Sequence, residues 1–303
     1  MFWSFLVIII GLALFETVSS IDNAVINAEV LATMTPRAQK WFLTWGVIVA
    51  VFIVRGLFPF FIIWIFNTKL TALQVLSATW SSNPLVLNSI NKSSPILLIA
   101  GGIFLVFLFL HWLFLEDKKL GLPRAERFFL SKGIWFYATV SILLLIIAWF
   151  ALANSNLLGF GAIVGSSLFF ITEGFKKNAE DEEKKLMNSA KSDLSKFLFL
   201  EIIDSTFSID GVLGAFAFTF SLPLILIGNG LGALLVRQLT VKNIERIKKY
   251  VYLKNGAMYS ILVLGVIMIM HSFGFHIPEY VSPLSTFIIV GYFFSKSVAV
   301  IKT

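Results

Sequence analysis

The chain has 303 residues, of which 58% are hydrophobic and only 14% are charged, and its formal net charge is +7. Because soluble domains carry about 25% charged residues, this composition excludes an ordinary soluble protein and indicates a polytopic membrane protein. The absence of cysteine excludes disulfides, thiolate metal ligands and thiol catalysis. Lys and Arg lie in short stretches between apolar runs, so we interpret the positive charge as a topology signal and expect no nucleic-acid partner.

Apolar runs of roughly 17 to 25 residues are typical of membrane-spanning helices. By this rule, with a few shorter segments included, we predict an all-α polytopic membrane protein with about nine transmembrane helices in the lipid bilayer. A polar connector with a weakly amphipathic piece follows span 2, and a segment dense in Lys and Glu (176–196) follows span 5. The predicted spans are 2–30, 41–66, 95–115, 134–152, 157–172, 197–220, 223–237, 256–270 and 284–301.

The basic residues are distributed unequally between the loops. Every connection that follows an odd-numbered span contains at least two Lys or Arg residues. The connections after spans 4, 6 and 8 contain none, and the one after span 2 contains Lys69 and Lys92. The positive-inside rule therefore places the N-terminus outside and the C-terminus inside.

One short polar motif occurs twice, as Glu16-Thr-Val-Ser-Ser-Ile-Asp22-Asn23 and as Asp204-Ser-Thr-Phe-Ser-Ile-Asp210-Gly211. The two acids of the first copy precede those of the second by the same 188 positions. The motifs lie in spans 1 and 6, which cross the membrane in opposite directions, so the pattern predicts an inverted-topology repeat, as in many secondary transporters. We expect a first membrane repeat at 1–153 (spans 1–4) and a second at 196–303 (spans 6–9). Between them, 154–195 is expected to contain the fifth span and a charged loop.

Carboxylates inside apolar spans indicate a functional site, because each charged acid at a bilayer centre costs about 2.5–3.5 kcal/mol. Carboxylate, amide and hydroxyl oxygens suit hard cations such as Mn²⁺, Ca²⁺ or Mg²⁺, and neither motif contains a histidine. We therefore predict a divalent-cation site to which both copies contribute. Its candidate ligands are Glu16, Ser20, Asp22, Asn23, Glu201, Asp204, Ser208 and Asp210.

Two arginines are the candidate charge partners of these acids. Arg55 lies within span 2 and Arg237 at the end of span 7. Arg55 is expected to neutralise the acids when no cation is bound. An alternative remains open, in which the acids only pair with the two arginines and thereby hold the helix bundle together. Glu29, seven residues after Asp22, is expected at the rim of the site.

The spacing within each motif also carries a geometric prediction. Six residues separate the two acids of a copy, which places them about 240° apart around an ideal helix. From an unbroken helix the two carboxylates cannot face the same ion. We therefore predict a break or unwinding near each Ser-Ile-Asp triplet, where Asp-Asn and Asp-Gly favour turns.

The two motifs, their spacing and their preceding acids resemble the TerC family of integral membrane proteins, in particular a long branch of that family. The resemblance extends to Tyr252-Leu-Lys-Asn-Gly-Ala257, just before span 8. It implies membership of the LysE-type cation exporter superfamily, which includes manganese exporters. It also implies that the acidic motifs form the metal site and that the protein is a multi-pass protein of a bacterial inner (plasma) membrane. The family name refers to tellurite resistance, which does not establish tellurite as the substrate.

The expected function is export of a divalent cation, with Mn²⁺ favoured, by alternating access coupled to H⁺ or Na⁺. We expect no enzymatic activity and no cofactor, because the sequence contains no P-loop, HExxH motif or nucleophile elbow. An intramembrane aspartyl protease also uses two carboxylates, which share a water, but no motif of such a protease is present. The remaining alternative is a non-transporting metal-sensing or stress-response scaffold that recruits partners through the 176–196 segment.

The alternating loop charge predicts that Ser189 and Ser82 lie on opposite sides of the membrane. Because the chain has no cysteine, single cysteines at these two positions report accessibility without background. A membrane-impermeant maleimide should label the Ser82→Cys protein in intact cells and the Ser189→Cys protein only after the cells are opened. Labelling of both positions in intact cells would contradict the nine-span topology.

Overall fold

The computed structural model describes residues 2–46, 48–49, 55–66, 70–78, 84–187, 192–242 and 248–302. Every regular element within these ranges is helical, which confirms the all-α prediction. A short π-helical stretch (Phe42–Gly46) follows α3, and one 3₁₀ turn (Gly133–Trp135) precedes α8. The α-helices are α1 (Phe2–Ser19), α2 (Ile21–Ala32), α3 (Pro36–Trp41), α4 (Phe58–Phe66), α5 (Ala72–Ala78), α6 (Pro84–Leu115), α7 (Pro123–Leu130), α8 (Phe136–Asn154), α9 (Asn156–Met187), α10 (Asp193–Ala215), α11 (Leu222–Lys242), α12 (Leu253–Ser272) and α13 (Val281–Lys302).

Within the described ranges, five helices are long and apolar enough to cross a membrane, as a multi-pass membrane protein requires. A sixth span is possible if α1 and α2 form one bent span. The apolar stretches Arg55–Ile65 and Leu222–Gln238 overlap predicted spans 2 and 7, and both are shorter than those five helices. The five helices are Lys92–Leu115, Gly133–Asn154, Asn156–Asn178, Leu253–Ser272 and Val281–Ile301.

Helix α9 is longer than the sequence predicted. The fifth span is predicted over 157–172, with the charge run 179–191 as a separate solvated helix, whereas α9 continues without a break to Met187. The extension is rich in Glu and Lys, which are good helix formers, so the helix propagates past the end of the apolar run. Ser189, which the labelling experiment uses, lies outside the described residues, as does Ser82.

The two copies of the acidic motif differ in backbone structure. In the first copy α1 ends at Ser19, and α2 begins at Ile21 after a bend of 60°, as predicted. In the second copy α10 runs through Ser208-Ile-Asp210 without interruption and ends at Ala215. The predicted break is therefore wrong for the second copy, where a turn-favouring glycine after the aspartate remains helical.

Helix α6 is the centre of the bundle, and 83% of its apolar stretch is buried, against 17% for α8. Glycines bring α9 close to it, because Gly161 faces Ile96 and Gly165 faces the backbone of Ala100. The register of these contacts shows that α6 and α9 run in the same direction. Helix α12 runs the opposite way along α6. Gly101 faces Met268, whereas Trp112, further along α6, lies against the earlier residue Tyr259 at a ring-centroid distance of 5.7 Å.

Helices α1 and α11 also pack closely and run in the same direction. Gly228 faces Leu12, and one turn later Gly232 faces Ala13 and Glu16. A Cβ atom at Gly232 would lie 2.6 Å from Cβ of Glu16. Small residues four positions apart thus allow the backbones of two membrane helices to approach each other.

The loop between α6 and α7 is fixed by a buried carboxylate, that of Glu126. It accepts hydrogen bonds from the backbone N–H groups of Gly121 and Leu122 and from the side chains of Asn255 and Tyr259. In the same loop, Lys118 donates to the last carbonyls of α6. Burial lowers the pKa of Lys118 to about 8, although nearby acids oppose this shift.

The contact between α6 and α9 predicts the effect of a substitution at Gly165. A leucine there must displace the backbone of Ala100, so Gly165→Leu should destabilise the protein by about 1–3 kcal/mol. Thermal unfolding of the purified protein in detergent, followed by circular dichroism, measures this loss. Gly174→Ala in the same helix is the matched control, because no atom lies within 4 Å of its added Cβ. A parental melting temperature for Gly165→Leu would contradict this packing.

Candidate functional site

Glu16 lies in the last turn of α1, just before the bend, and is completely buried. Its Oε1 atom accepts hydrogen bonds from Arg55 Nε at 2.9 Å and Arg55 Nη2 at 2.5 Å. The hydroxyl group of Ser20, the residue at the bend, donates to the same oxygen at 2.9 Å. One oxygen of this carboxylate is thus saturated with donors.

Asp204 is the corresponding acid of the second copy and lies on α10. Its Oδ1 atom accepts a hydrogen bond from the Asn23 side-chain amide at 2.5 Å. Its Oδ2 atom lies 3.6 Å from Arg55 Nη1 and 3.3 Å from Arg237 Nη2. Arg55 therefore bridges Glu16 and Asp204, and the two copies of the motif meet at this guanidinium group.

Arg237 is the second arginine that approaches Asp204 Oδ2. Its Nη2 atom lies 3.2 Å from Glu201 Oε1, and its Nη1 atom donates to the Phe42 carbonyl at 2.8 Å. The guanidinium carbon lies 4.1 Å from the centre of the Phe42 ring, a cation–π contact. A Cβ atom at Gly46 would overlap both Arg237 Nη1 and Glu201 Oε1, so a larger residue there would displace the two charged groups.

Asp210 is buried on α10 and faces a different cation. The ammonium group of Lys176 on α9 lies 4.0 Å from its Oδ2 atom. Asp210 follows Asp204 by six residues on an unbroken helix, so the two side chains point about 240° apart around the helix axis. Asp210 therefore has a different charge partner from Asp204. Lys176 was predicted to belong to the charged segment 176–196. Its position in the sequence, one helical turn after the apolar run 157–172, is the feature that could have identified it as a lysine at the membrane edge.

The other predicted residues have more varied surroundings. Ser208 donates to the backbone carbonyl of Asp204 at 2.5 Å, not to a side chain. Glu29 is exposed and lies 3.6 Å from Lys248, in keeping with a position at a rim. Asp22 belongs to α2 by its backbone, but its side chain lies outside the described residues.

Several buried oxygen atoms have no hydrogen-bond partner within the described ranges. Two belong to the predicted acids Glu16 and Glu201, three are side-chain amide oxygens on α2 and α11, and one is the hydroxyl oxygen of Thr172 on α9. An unsatisfied buried acceptor costs about 1–3 kcal/mol, more when it is charged, so these atoms require an explanation. The atoms are Glu16 Oε2, Asn23 Oδ1, Asn27 Oδ1, Thr172 Oγ1, Glu201 Oε2 and Asn229 Oδ1.

Sequence reasoning did not identify Asn27 and Asn229. Both are buried, and each had a signal in the sequence. Asn27 follows Asn23 by about one helical turn, and Asn229 stands between two glycines in an otherwise apolar span. Polar residues within membrane helices generally face the bundle interior, which these two do.

The carboxylates do not converge on a common point. Among the described residues, no three Asp, Glu or His side chains are placed to hold a metal ion, since guanidinium groups separate the acids. The cluster has four formal negative charges and three formal positive charges, which leaves a net charge of −1 without Asp22. The acids are Glu16, Glu201, Asp204 and Asp210, and the cations are Arg55, Lys176 and Arg237.

The chain was compared with protein families, curated proteins and solved structures. A family described as "Protein of unknown function (DUF475)" matches residues 21–303. No curated protein and no solved structure matches the chain.

The ion pair between Arg55 and Glu16 predicts strong coupling between the two side chains. Arg55→Gln should cost about 3–5 kcal/mol, because it leaves a buried carboxylate without its partner. Adding Glu16→Gln should recover most of that loss, since a neutral amide no longer requires a cation. Denaturant unfolding of the two single variants and the double variant measures the coupling energy. Additive losses would indicate that the two side chains do not stabilise each other.

Proposed function

Because the chain belongs to the DUF475 family, whose description states no function, we propose a function from the site itself. The protein is a membrane transporter that exports a divalent metal cation through the buried carboxylate cluster, with Mn²⁺ as the favoured ion. It is not an enzyme, and the metal is its cargo.

One observation carries this proposal, namely a buried acidic cluster that retains unpaired oxygen atoms. A purely structural salt-bridge network is expected to satisfy its carboxylates, because each unpaired buried oxygen is costly. Among the described residues, Glu16 and Glu201 each keep one oxygen without a partner, and so does the Asn23 amide. With a formal charge of −1, the cluster favours an additional cation that these oxygens can bind.

The chemistry of the oxygens narrows the class of ion. Carboxylate and amide oxygens prefer hard cations, while softer metals prefer thiolate or imidazole ligands. The chain has no cysteine, and its three histidines lie outside both motifs. The resemblance of the motifs to the TerC family adds support for export and for Mn²⁺.

Corresponding contacts in the two motif copies support the inverted repeat. Each arginine pairs with the first acid of its own copy, Arg55 with Glu16 and Arg237 with Asp204. Position 23 of the first copy contacts Asp204, and the matching position, Gly211, contacts Glu16. These correspondences favour two inverted repeats within nine spans, N-terminus outside and C-terminus inside, in a bacterial inner membrane.

In this mechanism the resident side-chain cations compete with the metal. In the metal-free state Arg55 neutralises Glu16 and Asp204, and Lys176 neutralises Asp210. Metal binding replaces these contacts, so the helices that carry the side chains, α9 above all, move relative to α10. Alternating access of the two repeats, coupled to H⁺ or Na⁺, then carries the ion outward.

A metal-sensing scaffold is the second candidate, and the continuous α9 favours it. The helix that carries Lys176 extends to Met187 without a break, so a change at Asp210 can reach the charged segment. Deletion of 180–191 separates the two candidates. A transporter should retain metal flux after the deletion, whereas a scaffold should lose its cellular effect.

The proposal predicts loss of export when the repeat-matched aspartates lose their charge. Asp22→Asn and Asp210→Asn each keep the size and one oxygen of the side chain but remove a negative charge, which lowers affinity for a divalent cation. Each should reduce Mn²⁺ efflux from loaded vesicles by about tenfold or more. Membrane expression of each variant is quantified in parallel.

Glu29→Gln is the matched control, because it removes an acid of the same helix that is exposed and outside the cluster. It should have a much smaller effect on efflux. Parental efflux in both aspartate variants, with normal expression, would show that the carboxylates are structural and that the transport mechanism is wrong.

A further inference from the structure

Asn229 is completely buried where α1, α10 and α11 meet. The flanking residue Gly228 faces Leu12, and Gly232 faces Glu16, so α11 lies against α1 on both sides of the asparagine. The Asn229 amide nitrogen donates to the carbonyl of Gly211 on α10 at 3.5 Å. The side chain therefore reaches from α11 to the residue that directly follows Asp210.

Glu16 approaches the same glycine from α1. A Cβ atom at Gly211 would lie 2.5 Å from Glu16 Oε2, so this oxygen occupies the space that a side chain would need. Glu16 Oε2 and Asn229 Oδ1 are both buried acceptors without a hydrogen-bond partner in the described ranges. Glu16 and Asn229, each with one such oxygen, thus approach the same glycine from different helices.

Packing alone does not explain an asparagine at this position. Asparagine is costly in an apolar span, and its unpaired oxygen forfeits the hydrogen bond that would offset burial. A leucine or alanine would avoid that cost. An amide oxygen accepts but cannot donate, and the carboxylate oxygen that approaches the same glycine also has no donor among the described residues, so the pair is suited to bind a cation.

We propose that Asn229 is a ligand of the transported cation, which its Oδ1 atom holds together with Glu16 Oε2 beside Gly211. The inference rests on the proposed function, since it assigns a further ligand to the same site. A neutral amide oxygen adds a ligand without adding charge, so the ion is bound and can still be released, as transport requires.

The assignment also makes Asn229 a determinant of specificity. Mg²⁺ gives up its waters reluctantly and is usually bound through few protein oxygens, whereas Ca²⁺ accepts many. A buried amide ligand in place of water therefore favours ions that dehydrate more readily than Mg²⁺. Replacing Asn229 by alanine leaves room for a water and should weaken discrimination against Mg²⁺.

Binding of Mn²⁺ to the purified protein in detergent tests the proposal without transport. Electron paramagnetic resonance measures free Mn²⁺, and addition of Ca²⁺ or Mg²⁺ gives their competition. Asn229→Ala should raise the Kd for Mn²⁺ by about tenfold or more and lower the preference for Mn²⁺ over Mg²⁺. Asn229→Asp retains an oxygen, adds charge and should lower the Kd.

Asn255→Ala is the matched control, since Asn255 is also buried but its amide donates to the Lys119 carbonyl and to Glu126, outside the site. It should show the parental Kd and the parental order of ions. Gel filtration and helix content establish that each variant is folded.

Folded Asn229→Ala protein with the parental Kd and ion preference would overturn the assignment, as would a parental protein that binds no Mn²⁺. The predicted shifts in binding combined with no Mn²⁺ flux in parental vesicles would leave the ligand assignment intact. That combination would instead refute the proposed transport.

Discussion

The arrangement of the site depends on the buried guanidinium group of Arg55 between Glu16 and Asp204. Removing three charges from water costs several kcal/mol for each ion, and only close geometry with further hydrogen bonds offsets it. Ser20 and Asn23 supply such bonds, one to each acid. Because Glu16 belongs to α1 and Asp204 to α10, this one interaction fixes the two copies of the motif against each other.

The same requirement for charge balance explains the rest of the cluster. Arg237 shares Asp204 with Arg55, and Lys176 lies opposite Asp210, so each described acid has a cation nearby. The pairing is incomplete at the level of single atoms, because Glu16 presents one saturated oxygen and one that has no donor in the described part of the chain. Without Asp22, the cluster is thus balanced in formal charge to within one unit but short of hydrogen-bond donors among the described residues, and the proposed cation binding rests on this imbalance.

The two motif copies reach this balance with different backbones. In the first copy, Ser20 lies at the bend, and its hydroxyl binds the carboxylate of Glu16. In the second, Ser208 binds the backbone carbonyl of Asp204, and the helix continues. The acids of the continuous helix consequently face different cations, Asp204 the two arginines and Asp210 the lysine. The two halves of the site are therefore matched in residue positions and unequal in conformation.

Hydropathy, charge and local spacing determined the all-helical membrane class, the approximate positions of the apolar helices and the positions of the buried acids and arginines. These properties depend on residues that are close in sequence, which lie on the same helix and in the same surroundings of lipid or water. The tertiary structure alone decided that Arg55 bridges the copies, that Lys176 faces Asp210 and that Asn229 reaches Gly211. Those pairings join residues from separate helices, up to about 150 positions apart in the chain, and depend on how closely glycines such as Gly232 let the helices approach. Helix packing, which local sequence patterns do not encode, selects the partner of each buried polar atom.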